Sequence, residues 1–98
     1  MPVTLINVFS VPTGKEDEFV RWWDEVKANI TKQPGFISGK FHRSLNSASK
    51  YNFINVAIWE NEGLYWKAYE TSVTPMKTKL AALGVEMTPA LYRVLFEY

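Results

Sequence analysis

The sequence predicts a single α+β domain with the element order βαββαβ, a split βαβ arrangement of ferredoxin-like type with a four-stranded antiparallel sheet. Four segments have the alternation, or the β-branched and aromatic content, of strands. Helical segments with apolar residues at helical spacing follow the first and the third of them. Because 98 residues leave room for one core only, residues 1–98 are expected to form one domain.

The first strand and the first helix are predicted from alternation and from an apolar stripe. Val3 to Val11 alternates between two faces, and the proline that follows ends the strand. Thr13 and Glu16 are expected to form a capping box for a helix from about Lys15 to Thr31. Pro34-Gly35 lies beyond the end of that helix. The stripe of the helix consists of Phe19, Trp22, Trp23, Val26 and Ile30.

The second and third strands differ in polarity. Phe36 to Leu45 alternates with many polar residues, which favours an edge strand, and Ile37 is expected to share a face with Phe41. Asn46 to Ser49 is a turn signal. Phe53 to Trp59 carries no charge and is rich in β-branched and aromatic residues, which is typical of a central strand covered on both faces.

The last third of the chain is predicted to contain a broken helix and a strand. Asn61 can cap a helix that runs to about Tyr69, and Thr71 to Thr74 interrupts it. Pro75 suits the first position of the next helical turn. The fourth strand is expected from about Ala90 to Glu97, after a short link.

In this topology strands 1 and 3 are central, and both helices cover one face of the sheet. We assign four large apolar residues and Asn55 to the other, bare face. A bare apolar face needs a cover, so we expect a second copy of the chain to pack on it and form a homodimer. The four apolar residues are Leu5, Phe9, Phe53 and Trp59.

Composition narrows the range of partners. The formal net charge is +1 and no segment is a basic run, which argues against nucleic acid as a partner. There is no cysteine, and the single histidine has no clustered carboxylates, so no metal site is expected. No apolar run reaches ~18 residues and the first residues are no signal peptide, so we expect a cytoplasmic protein without membrane contact. Aromatic residues make up 15% of the chain, which favours a partner interface or a pocket for a small aromatic ligand, although aromatic residues also fill ordinary cores.

Four stretches match a known family in order along the chain. They are Asn7 to Gly14, Gln33 to Phe36, Phe41 to Leu45 and Phe53 to Glu60. In these stretches the chain resembles the antibiotic biosynthesis monooxygenase family of dimeric α+β barrels. The resemblance implies two sheets packed face to face in a dimer, with a cavity between the sheet and the helices of each protomer. Members include cofactor-free oxygenases of polycyclic phenols, quinol monooxygenases, haem-degrading enzymes and proteins without known activity.

Asn7 and Phe9 are the candidate site residues of the first strand. Asn7 places an amide among apolar neighbours, and a buried amide without a partner is costly, so either a backbone hydrogen bond or a ligand must satisfy it. The resemblance adds that haem degraders carry an asparagine at the matching position. We predict Asn7 as a catalytic residue, with Phe9 on the same face as a substrate contact.

Aromatic residues of the second helix are the other candidates. Trp66 and Tyr69 are predicted to be catalytic and Tyr65 to bind substrate, although an aromatic helix face is also typical of core packing. The resemblance implies the same assignment, since haem degraders and phenol oxygenases have a tryptophan on this helix. The phenol oxygenases also use a nearby tyrosine.

Further candidates are polar. The polar strand around His42 favours a solvent-facing or interface role, and the alternative is a base or a substrate contact for a phenol. Arg93 on the predicted fourth strand could hold a phenolate, or form an interface ion pair. Met76 stands where haem degraders carry their histidine ligand, and this departure argues against haem degradation.

The resulting hypothesis is a cofactor-independent monooxygenase that oxidises a hydroxylated aromatic or polycyclic substrate to a quinone with O₂. Neither a cofactor nor a metal is expected, because such a substrate supplies its own electrons. The alternative is a member of the same fold that binds a small molecule without turnover. Haem binding or breakdown is the third hypothesis.

Overall fold

A computed structural model describes all 98 residues of the chain. Its elements are β1 (Val3–Ser10), α1 (Glu16–Ile30), β2 (Phe36–Arg43), β3 (Phe53–Trp59), α2 (Glu62–Ser72), α3 (Lys77–Ala82) and β4 (Glu86–Tyr92). A 3-10 turn at Thr74–Met76 joins α2 to α3. No helix combines the length and the apolar composition that crossing a membrane requires.

The four strands form one antiparallel sheet in the order β2-β3-β1-β4. β1 and β3 are the central strands, and β2 and β4 are the two edges. The sheet is open and does not close into a barrel. This arrangement confirms the predicted α+β fold of ferredoxin-like type.

The assignment of the two sheet faces is wrong. One face, called here the inner face, packs against the helices, and its central residues are Leu5, Asn7, Phe9, Phe53, Asn55, Ala57 and Trp59. The opposite, open face carries the half-buried side chains Ile6, Val8, Ile54, Val56 and Ile58. The large residues expected on the bare face therefore form the core. Because both faces of β1 and β3 are apolar, alternation alone could not say which of them the helices cover.

A bulge in β2 changes the predicted face of its first residues. Phe36 pairs with Trp59, whereas Ser38 already pairs with Ile58, so Ile37 is the extra residue. As a result Phe36 and Phe41 point to the inner face, and Ile37 is 48% exposed. The predicted common face of Ile37 and Phe41 is wrong.

Two strand ends also differ from the prediction. β2 ends at Arg43, two residues before Leu45. β4 runs from Glu86 to Tyr92 instead of Ala90 to Glu97, and it contains Pro89. An edge strand tolerates proline because it can turn the missing N–H side away from its one neighbour.

The two predicted helix starts have different outcomes. No side chain caps α1 at Lys15, and the Gly14 N–H instead donates to Glu16 Oε1 at 2.7 Å, so the predicted capping box is wrong. Backbone N–H groups, first that of Glu16 itself and then that of Gly14, lower the pKa of the Glu16 carboxyl. The predicted cap of α2 is confirmed, since the Leu64 N–H donates to Asn61 Oδ1 at 2.9 Å.

Five aromatic side chains fill one end of the inner face, and we call them the aromatic cluster: Phe9, Phe19, Trp22, Phe41 and Phe53. Asn52 closes this end. Its Oδ1 accepts from the Val11 N–H and its Nδ2 donates to the Val11 carbonyl, both at 2.9 Å. These two bonds join the chain on either side of the β1–β3 pair just beyond its last residues, Phe9 and Phe53.

Candidate functional site

An apolar cavity of about 110 Å³ lies between the second half of α1 and the β2–β3 half of the sheet. Lys27, Thr31, Gly39 and Lys40 of its lining are exposed, so the cavity opens beside the edge strand β2. The complete lining is Leu5, Trp23, Lys27, Ile30, Thr31, Phe36, Gly39, Lys40, Phe41, Asn55, Ala57 and Trp59.

The strand register explains why a cavity forms there. Across β1, β3 and β2, the inner-face residues form rows, and the row through the cavity is Leu5, Ala57 and Gly39. Its side chains become smaller toward the β2 edge, which leaves space under α1. A Cβ added at Gly39 would lie 3.2 Å from the Cβ of Ala57, so the two positions leave no room for larger side chains side by side.

Aromatic rings bound the space above this row. Trp23 of α1 stacks on Phe41 of β2, with ring centroids 4.5 Å apart and planes inclined by 11°. On the other side, Phe36 meets Trp59 edge to face at 5.4 Å. Such apolar walls suit a flat aromatic ligand.

One buried polar group in this lining has no hydrogen-bond partner. The Nε1–H of Trp59 is buried without an acceptor, and Trp59 is only 1% exposed. A buried donor left unpaired costs about 1–3 kcal/mol. Asn55, two positions before Ala57 on the same face, brings an amide to the same cavity. A ligand oxygen is the kind of acceptor that the Trp59 Nε1–H lacks.

Asn7 lies on β1, two residues after Leu5 of the cavity lining. It pairs directly with Asn55 in the β1–β3 register and is 6% exposed. Its Nδ2 is 3.8 Å from the Met87 sulfur, and its Oδ1 is buried with no partner. No backbone hydrogen bond satisfies the Asn7 oxygen, and Asn7 lies next to a cavity that it does not itself line, so its contact with a ligand stays a prediction.

The predicted aromatic residues of α2 are absent from the lining of the cavity. Tyr65 is buried and meets the Trp59 ring edge to face at 5.5 Å. Tyr69 is half-buried 6.2 Å from Tyr65, and Trp66 is 38% exposed. Burial, and to a smaller extent Tyr69, raises the pKa of the Tyr65 phenol, so this group stays protonated at neutral pH.

The remaining predicted residues are dispersed. Phe9 is enclosed in the aromatic cluster, and His42 is exposed on the open-face side of β2. Arg93 is exposed beyond the end of β4, so its predicted place on a strand is wrong. The half-buried Met76 packs against the core, and its carbonyl accepts a hydrogen bond from Trp22 Nε1 at 2.9 Å. Contact of His42 and Arg93 with a ligand stays a prediction.

Sequence reasoning missed Asn55 and Trp59 as site residues because it placed both on the open face. The signal was present in the central strand. Asn55, Ala57 and Trp59 alternate on one face of an uncharged segment, so an amide and an indole flank the smallest side chain of the strand.

Comparison with known proteins identifies relatives of the whole chain. A sequence model of the family described as antibiotic biosynthesis monooxygenase matches residues 2–74. A candidate monooxygenase from Shewanella loihica PV-4 is 36% identical, with a TM-score of 0.83 over 98% of this chain and 96% of the relative. Among proteins with curated descriptions, none matches the chain.

Two further structures share the fold at lower identity. SnoaB, a cofactor-independent oxygenase from Streptomyces nogalater, is 25% identical, with a TM-score of 0.81 over 98% of this chain and 95% of SnoaB. A candidate antibiotic biosynthesis monooxygenase from Nitrosomonas europaea is 16% identical, with a TM-score of 0.76 over 98% of this chain and its own full length. At that identity the second similarity shows the fold alone.

Proposed function

Because the chain belongs to the antibiotic biosynthesis monooxygenase family, we propose that it oxidises a hydroxylated aromatic compound to a quinone with O₂ and without a cofactor. The similarity to SnoaB, a cofactor-independent oxygenase, supports this choice among the reactions that the family allows. The observation that carries the proposal is that Trp59 lines an apolar cavity and has a buried Nε1–H without a hydrogen-bond partner.

In the proposed site Trp59 and Asn55 recognise the hydroxyl oxygen of the ring. Both side chains can donate a hydrogen bond, and a phenolate oxygen accepts more strongly than a phenol oxygen. Donors fixed in a dry cavity therefore favour the ionised form of the substrate. The apolar walls from Trp23, Phe36 and Phe41 hold the ring and keep water away from the reacting carbon.

The substrate supplies the electrons for the reaction. The phenolate gives one electron to O₂, and the superoxide then joins the radical at a ring carbon that carries hydrogen. The resulting peroxide loses that hydrogen as a proton and its O–O bond breaks. One oxygen atom remains as the new carbonyl of the quinone, and the other leaves as water. In this scheme the protein binds the anion and excludes solvent, and no group of the protein is oxidised or reduced.

Asn7 and the aromatic residues of α2 do not line the cavity, and we propose that they hold Asn55 and Trp59 in position. Asn7 lies beside Asn55 and has an Oδ1 without a partner, so we propose that Asn7 holds the Asn55 amide in its orientation. Tyr65 packs on Trp59 and fixes the plane of the indole ring. Trp66 and Tyr69 contact Tyr65 in turn, at 4.8 and 6.2 Å between ring centroids.

Two tryptophan variants test the proposal. We expect Trp59→Phe to lower the rate of O₂ uptake with 1,3-dihydroxynaphthalene or resorcinol at least tenfold, because it removes one charge-assisted hydrogen bond to the phenolate. Trp66→Phe, at the exposed position on α2, should lower it less than threefold. The assay follows O₂ with an electrode and the quinone by absorbance. A larger loss for Trp66→Phe would move the site to α2.

The alternative function is ligand binding without turnover, and the same cavity supports it. In that case resorcinol raises the midpoint temperature of thermal unfolding, while O₂ is consumed no faster than in a control without protein. This result would overturn the oxygenase proposal and leave the binding site in place. Asn55→Ala should then abolish the rise in the midpoint.

We also propose that the open face of the sheet pairs with a second copy of the chain. Its five central side chains are β-branched and apolar, and no element of the same chain covers them. Face-to-face packing of two sheets buries such side chains. The cavity is formed within one chain, so pairing is not needed to complete its lining.

Val56→Lys tests the pairing by placing a charge in the centre of the open face. We expect the parent protein to sediment as a dimer at micromolar concentration and the variant to sediment as a monomer. Val20→Lys is the control, because Val20 is 41% exposed on α1. A parent protein that sediments as a monomer would contradict the proposal.

A further inference from the structure

We infer that the stacked pair of Trp23 and Phe41 sets the size of the substrate, and that the cavity accepts a single aromatic ring in preference to fused ring systems. This inference rests on the proposed function, because it names the class of phenol that the same site takes. The reasons are the volume of the cavity and the unequal support of its walls.

The volume is small for a polycyclic ligand. The cavity measures about 110 Å³. An apolar cavity of roughly 150 Å³ in another protein holds one benzene molecule. A single ring therefore needs a modest widening of the present cavity, and a second fused ring needs space that must come from the displacement of a wall.

The floor and the far wall cannot supply that space. The floor is the paired backbone of β2 and β3 at Gly39 and Ala57, which the sheet hydrogen bonds hold in place. The far wall is the edge-to-face contact between Phe36 and the fully buried Trp59. Displacing either of them would disrupt the central strands of the sheet or the core.

The third wall of the cavity consists of Trp23 and Phe41, and these two rings are held unequally. Phe41 contacts three members of the aromatic cluster, Phe9, Phe19 and Phe53, at 5.8 to 6.0 Å between centroids. Trp23 is half-buried and has Phe41 as its one aromatic neighbour. Trp23 is thus the wall that can move, and the stacking on Phe41 opposes its movement.

The experiment measures, without O₂, the binding of three phenols of increasing size, of which anthrone is added as the keto tautomer of the phenol 9-anthrol. Resorcinol, 1,3-dihydroxynaphthalene and anthrone have one, two and three rings, and each has a reactive carbon in the same relation to an oxygen. Isothermal titration under argon gives the Kd of each for the parent protein and for Trp23→Ala, Trp23→Phe and Val20→Ala. Val20 is three residues before Trp23 on α1 and does not line the cavity.

We expect the parent protein to bind resorcinol at least as tightly as anthrone, although anthrone is the more hydrophobic compound. Trp23→Ala should raise the affinity for 1,3-dihydroxynaphthalene relative to resorcinol at least tenfold. Trp23→Phe should keep most of the preference of the parent protein for resorcinol over the larger compounds, and Val20→Ala should keep all of it. Tighter binding of anthrone by the parent protein, or an unchanged ratio in Trp23→Ala, would overturn the inference.

Oxygen uptake with the same three phenols separates this inference from the proposed function. If O₂ is consumed but the protein shows no preference for the one-ring compound, the role of Trp23 is overturned and the oxygenase proposal is supported. The expected preference in binding without uptake supports the role of Trp23 and overturns the oxygenase. If none of the three phenols binds, both are overturned.

Discussion

Two neighbouring parts of the inner face are filled very differently, although both lie under helix α1. At one end the aromatic cluster packs ring against ring, and Phe9 and Phe19 are completely buried. In the adjoining part the row ends in Ala57 and Gly39, and a cavity remains. Side-chain volume at these two sheet positions is therefore sufficient to explain the cavity, without any distortion of the helix that covers it.

The largest expected effect tests whether the filled end carries the stability of the domain. Phe19→Ala removes a ring that lies 4.9 Å from Phe53 and 5.0 Å from Phe9, and the cluster around it cannot collapse freely. We expect a loss of about 3–5 kcal/mol in the free energy of unfolding, measured by urea denaturation. The exposed neighbour Val20 provides the control, since Val20→Ala should change it by about 0.5 kcal/mol or less. Similar losses for both variants would contradict the comparison.

A second prediction concerns Tyr65, which is buried against Trp59 and, unlike Trp59, does not line the cavity. Burial raises the pKa of the Tyr65 phenol above the value of about 10 that it has in an unfolded chain. Below that pH both states hold the proton and the stability is unaffected. As the pH rises above it, the unfolded chain releases the proton and the folded chain keeps it. The free energy of unfolding should therefore fall, by at most about 1.4 kcal/mol per pH unit for this group.

Urea denaturation between pH 8 and pH 11 measures this fall. Tyr65→Phe should make the pH dependence weaker, and Tyr98→Phe, which changes a fully exposed side chain, should leave it as it is. Equal slopes for the parent protein and Tyr65→Phe would show that water reaches the phenol, and the contrast between the buried Tyr65 and the cavity beside Trp59 would be lost.

The sequence predicted the fold because local signals and topology agree. The uncharged strand at Phe53–Trp59, the stripe of α1 and the cap at Asn61 each indicate their element, and the order of the elements leaves few ways to arrange four strands. The burial of the Asn7 amide among apolar neighbours was also predicted, whereas the sequence left open whether a backbone hydrogen bond or a ligand satisfies it, and the structure shows its oxygen without a partner.

The location of the cavity could not be predicted in the same way. Both faces of β1 and β3 are apolar, so nothing local says that Trp59 points toward the helices. The bulge at Ile37 depends on pairing between β2 and β3, which determines that Phe36 meets Trp59. The two bonds between Asn52 and Val11 likewise join positions that are distant in the sequence. These features depend on contacts between segments that are distant in the sequence, and the periodicity of a single segment gives no information about them.

The smallest effect on stability is expected for a substitution in the cavity that should nevertheless have a large effect on ligand binding. Ala57→Val adds two methyl groups to a residue that lines the cavity, beside Gly39, which has no side chain. A β-branched residue suits a strand, so we expect the free energy of unfolding to change by less than about 1 kcal/mol. The affinity for resorcinol should nevertheless fall at least tenfold, because the methyl groups occupy the position of the ring. If the cavity were instead a packing defect without a ligand, filling it would stabilise the chain and leave the affinity for resorcinol unchanged. Urea denaturation and anaerobic titration of this one variant therefore distinguish a space that the fold left unfilled from a space that a ligand fills.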